Sequence, residues 1–115
     1  MDANTVYGYS IDIEIEEEEY INDVSAEIDE LREEHQFFYI SSESLDLDHA
    51  YGDSDTNGHP VGLLGTFTTG ESSLGNLTVI LRCHLKKNAT GVSDGEIINA
   101  GGNTSIEIIF PITIQ

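Results

Sequence analysis

Apolar and polar residues alternate with period two along most of this chain, and that pattern limits what it can fold into. In the first segment Tyr7, Tyr9, Ile11, Ile13 and Ile15 fall on one face, with Gly8, Ser10, Asp12, Glu14 and Glu16 on the other. Successive strand side chains point to opposite faces of a sheet, so this reads as a strand with one side on a core and one in water. Residues 37–40 make a short aromatic strand. Leu45, Leu47, His49 and Tyr51 alternate with Asp46, Asp48 and Ala50, and Val61, Leu63, Gly65 and Phe67 mark the next strand. Residues 70–75 read as a hairpin connection. Leu77, Val79, Leu81, Cys83 and Leu85 form the longest clean inner face, and Ile106, Ile108, Phe110, Ile112 and Ile114 the last one. Pro111 cannot donate to a ladder, which predicts that the last strand lies at a sheet edge.

One segment breaks the alternation. Residues 16–19 are all glutamate, residues 21–23 read as a helix start, and Val24, Ile28 and Leu31 follow at helical spacing. Asn22 or Asp23 can cap such a helix, which predicts a short surface helix over about 23–34. No helix separates the other strands, which argues against a parallel α/β sheet. The expectation is one domain over residues 1–115: an all-β, antiparallel β-sandwich, immunoglobulin-like or jelly-roll-like, of about six strands. Residues 88–104, rich in Gly, Asn, Asp and Ser, read as a long loop.

Charge limits the partners. Twenty-two acidic residues face four basic ones, for a formal charge of −18. Phosphate backbones and anionic membrane surfaces repel such a chain, and Arg32, Arg82, Lys86 and Lys87 cannot form a phosphate-tracking stripe. Nucleic-acid binding is not expected. The acid excess reads as a solvated surface, as cation binding, or as mimicry of DNA charge. Its concentration over residues 14–34 favours a local explanation. Cys83 is the only cysteine, so an internal disulfide is excluded. No stretch is apolar enough for membrane insertion. Residues 1–4 carry neither the basic region nor the apolar core of a signal peptide, so the chain is cytoplasmic or has lost such a leader.

The run Asp53-Ser54-Asp55-Thr56-Asn57-Gly58 places oxygen ligands at alternate positions before a glycine. Short loops wrap a hard cation in this way, which nominates Asp53, Asp55 and Asn57, with the His59 carbonyl, as ligands for Ca2+. The twelfth position, where a bidentate Glu would stand, is Leu64. Asp and Asn also favour turns for their own sake, so a plain hairpin loop is the competing reading. His35, His49 and Cys83 are the residues from which a transition-metal site could be assembled, against the alternative of core packing. No Ser or Cys has a nucleophile signature, and 101–102 lacks the helix and Lys of a phosphate cradle. Three glycosylation sequons begin at Asn76, Asn88 and Asn103.

Residues 33–39, 53–63, 77–82 and, most specifically, 89–107 (ATGVSDGEIINAGGNTSIE) resemble small secreted or lipid-anchored domains of Bacteroidota whose function is not settled. The resemblance covers about residues 30–115. It implies an exported, all-β, non-catalytic domain. The chain departs from that pattern at Cys83, where such domains carry a histidine, and it lacks their strands ahead of residue 5.

Together these readings lead to a non-enzymatic extracellular or envelope module that self-associates through strand edges, as a homo-oligomer or filament, with a Ca2+-stabilised loop. The alternatives are a monomeric ligand- or metal-binding envelope domain and an acidic inhibitor.

Overall fold

The computed structural model describes residues 1–11, 14–16, 21–23, 28 and 31–115. The chain is all-β. Its strands are β1 (Val6–Ser10), β2 (Glu14–Glu16), β3 (Ile21–Asp23), β4 (His35–Ser41), β5 (Leu47–Tyr51), β6 (Leu64–Thr69), β7 (Ser73–Cys83) and β8 (Asn103–Ile114). Two three-stranded antiparallel sheets carry the fold, in the orders β1-β6-β5 and β4-β7-β8, and β2 pairs with β3 in a separate ribbon. With the ribbon set aside, this is the BED and CFG order of the immunoglobulin sandwich, with no A strand among the described residues.

The alternation expected from the sequence places the core. Phe37, Leu77, Val79, Leu81 and Ile114 pack with Leu45, Leu47, Val61 and Ile28 between the sheets. In register, Phe37 faces Leu81 and Val79 faces Ile108, so Ile106, Ile108 and Phe110 look into the same space. A second, smaller core lies on the other face of the β4-β7 pair. There Phe38 and Ile80 are covered by Val92 and Ala100, with Leu85, Ala89 and Ile97 around them. The long loop expected over 88–104 is therefore a packed cover, and its buried aliphatic residues are the reason.

The terminal segment closes one corner. Met1 N donates to the Thr113 carbonyl, Gln115 N donates to the Met1 carbonyl, and Ala3 N donates to the Gln115 carbonyl, each at 2.9 Å. One residue bonded to positions two apart on its neighbour is parallel pairing. The first three residues thus extend the outer edge of β8, at its last turn of ladder only.

Several sequence expectations change. The long first strand stops at Ser10, and Ile11 N donates to the Leu63 carbonyl beyond it. Residues 21–23, read as a helix start, are strand β3. The helix expected over 23–34 lies for most of its length outside the described residues. Ile28 is helical and buried, and Arg32–Glu34 form a single 3-10 turn. Residues 70–75 do not make a hairpin: β6 already has β1 and β5 on its two edges, so the chain crosses to the other sheet, where Gly75 lies within β7. Pro111 does stand on an edge strand, opposite Asn76. Among the described residues no helix is long and apolar enough to cross a membrane.

Candidate functional site

The acidic loop connects β5 to β6. Asp53, just past β5, turns its carboxylate back on the chain: Oδ1 accepts from Gly62 N at 2.7 Å, and Oδ2 from Leu63 N at 2.9 Å and Leu64 N at 3.3 Å. The Gly62 and Leu63 amides are thereby turned away from the ladder, and β6 begins at Leu64 instead of at Val61, where the alternation predicts it.

Asp55 is buried. Its Oδ1 accepts from Asn57 N and His59 N, both at 2.9 Å, and its own N donates to the His59 carbonyl at 2.7 Å. Its Oδ2 lies 2.9 Å from Lys87 Nζ, with both side chains enclosed. Lys87 reaches in from the segment after β7 and donates also to the Arg32 carbonyl at 2.7 Å and the Pro60 carbonyl at 3.0 Å. Three acceptors match the three protons of an ammonium. A cation does sit at this loop, and it is a lysine side chain.

Burial by itself would push the Asp55 carboxyl up. The Lys87 ammonium and the amides of His59 and Asn57 outweigh it and hold Asp55 below the usual carboxylate range. Burial pushes Lys87 down, against the pull of Asp55. Glu33, on the 3-10 turn, accepts from Thr56 Oγ1 at 2.5 Å and is held low by that bond.

The residues nominated for Ca2+ make other contacts here. The Asp53 oxygens lie on amides, those of Asp55 on amides and Lys87, and the His59 carbonyl accepts from Asp55 N. A hard cation takes six to eight oxygens, and the ammonium repels one here. Among the described residues no three His, Cys, Asp or Glu side chains are grouped to hold a metal.

The suggested His35, His49 and Cys83 set divides between the sheets. His35 faces Cys83 in the β4–β7 register, and Ser105 Oγ donates to Cys83 Sγ at 3.3 Å. His49 is on β5, among aromatic rings. Tyr39 stacks on it at 4.2 Å, Tyr51 meets it edge-on at 4.7 Å, and Phe67 lies 5.3 Å away.

Three tyrosines tie this cluster to the backbone. Tyr9 Oη is 2.7 Å from His49 Nε2 and 3.1 Å from the Gly62 carbonyl, Tyr39 donates to Gly62 at 2.6 Å, and Tyr51 donates to the Phe37 carbonyl at 2.6 Å. Burial raises all three phenols, Tyr51 to about 12, and lowers His49 to about 4. At neutral pH the ring is uncharged and the hydroxyls keep their protons. The unit joins the two sheets and offers no ready nucleophile.

An open apolar feature lies along the seam between β1 and β8. Ser10, Ile11, Phe37, Val79, Ile106, Ile108 and Phe110 line a cavity of about 250 Å³. Ile108 and Phe110 are 47% and 44% exposed although they point toward the core side of their sheet. The A strand of an immunoglobulin sandwich would occupy this side.

Sequence reasoning did not find Lys87. The signal was its scarcity: with four basic residues in the chain, few groups can neutralise a buried carboxylate.

Fold and site together define a small sandwich of two three-stranded antiparallel sheets in immunoglobulin-like order, with a seam that is open among the described residues. No protein-family model, curated protein or solved structure matches the chain significantly.

Proposed function

We propose that this chain is a non-enzymatic interaction module that associates with a second copy of itself along the β1–β8 seam. The seam carries the reading: an edge strand of twelve residues has Ile108 and Phe110 half exposed over an apolar cavity, and Ile109 exposed on its other face. Exposed edges of this kind accept strands, and an added strand would also cover the apolar floor. Met1–Ala3 already add to the far end of the same edge, and among the described residues nothing else pairs with it. Charge favours this surface over the rest of the molecule, because Glu107 is the sole acid on β8 of a chain at −18. Antiparallel pairing about a two-fold axis gives a dimer, and head-to-tail strand donation gives a filament. The sequence resemblance supports a place outside the cytoplasm, in the cell envelope or beyond it.

Light scattering coupled to size exclusion tests this on the intact chain, at rising concentration and in moderate salt. Association is expected, and Ile108→Lys and Phe110→Lys should abolish it while leaving the circular dichroism unchanged. A 12.6 kDa species at every concentration would overturn the reading.

A further inference from the structure

We propose that Lys87 and Asp55 join in an intramolecular isopeptide bond, Nζ to Cγ, that staples the β5–β6 loop to the segment after β7. Three features of the geometry point to this. The amine and the leaving carboxyl oxygen are in hydrogen-bond contact at 2.9 Å inside an enclosed pocket, so the two groups are held together without any search. The Arg32 and Pro60 carbonyls take two of the three Nζ protons, so the remaining tetrahedral direction of Nζ points at Asp55. Asp55 Oδ1 receives two backbone amides, from Asn57 and His59, at 2.9 Å each. A pair of fixed N–H donors on one oxygen of a reacting carboxyl is the arrangement of an oxyanion hole.

The step balances within the pair. The ammonium passes one proton to Asp55 Oδ2, leaving a neutral amine whose lone pair, vacated along the Nζ–Oδ2 line, turns onto the adjacent Cγ. Attack forms the N–C bond and places negative charge on Oδ1, under the two amides. A second proton from nitrogen goes to Oδ2, the Cγ–Oδ2 bond breaks, and one water leaves with the former carboxyl oxygen. No oxidant, metal or co-reactant is required. The driving force is burial itself: two enclosed charges carry several kcal/mol of desolvation each, and the amide product carries no charge. The bond does not depend on how β8 is covered.

The test is the mass of the intact, folded wild-type chain after prolonged incubation at neutral pH, measured under denaturing conditions. The expected result is a species one water lighter than the sequence. A protease digest should contain one branched peptide joining the Asp55 and Lys87 segments, and Lys87→Met should restore the full mass. A folded wild-type chain at full sequence mass would overturn the proposal. So would a water loss that persists in Lys87→Met, because that marks a cyclised aspartate instead.

Discussion

The ring of Tyr39 on β4 lies stacked on that of His49 on β5, with centroids 4.2 Å apart and planes 28° from parallel. The two sheets thus meet through a titratable ring, held between Tyr9, Tyr51 and Phe67 and near the Asp53 carboxylate. Stability should depend on its protonation. His49 is pushed to about 4 in the fold, below its ordinary 6.5. Its contribution is therefore complete above pH 6.5 and falls as pH drops toward 4, because only the unfolded chain takes up the proton in that window. For a half-buried ring the loss is of order 1 kcal/mol. Urea melts across that range should show it, and His49→Phe should flatten the slope relative to wild type. Equal slopes would contradict the assignment.

In the freshly folded chain, before any Nζ–Cγ bond forms, breaking the Lys87–Asp55 ion pair should be costly. Lys87→Met leaves a buried carboxylate and Asp55→Asn a buried ammonium, and each should lose about 3–5 kcal/mol. The double variant should recover part of that loss, since neither charge remains. Denaturant midpoints of the four proteins give the coupling, and strictly additive losses would mean that the two groups act separately.

Calcium should add nothing beyond ionic strength. With the Asp53 and Asp55 oxygens on amides and Lys87, millimolar Ca2+ should leave the melting temperature where matched NaCl leaves it. A Ca2+-specific rise that disappears in Asp55→Ala would show that the ion displaces the lysine.

Salt itself should stabilise. At −18, self-repulsion opposes the compact state and weakens as the Debye length shrinks from about 10 Å at 0.1 M to about 3 Å at 1 M. Thermal melts should therefore rise with NaCl between those concentrations. A flat response would mean that local pairing already balances the acids.

Gly62 should tolerate no side chain. Its φ is +98°, and an added Cβ would stand 2.8 Å from Phe37 Cβ, beside the carbonyl that holds Tyr9 and Tyr39. Backbone strain alone costs about 1–3 kcal/mol, so Gly62→Ala should exceed about 2 kcal/mol with the clash added. Chemical denaturation measures it, and a neutral substitution would contradict the turn geometry.

The alternation at Leu77, Val79 and Leu81, and again at Ile106, Ile108 and Phe110, was enough to read an all-β sandwich, because period two is a property of neighbouring residues. Pro111 announced an edge for the same reason, since its missing donor is local. The Asp53 loop was legible as a turn full of oxygens. Its centre was not, because Lys87 arrives from a segment 32 positions further on, and no spacing within the loop encodes an ammonium. The division of His49 from His35 and Cys83 was equally hidden. His49 and Cys83 sit on inward-reading positions, and only the assignment of strands to two sheets separates them. Tertiary structure also decided that residues 88–102 form a cover, because Val92 and Ala100 become core only opposite Phe38 and Ile80. Sequence determines which face of each strand is apolar. Pairing between distant strands, which depends on long-range packing, decides what that face meets.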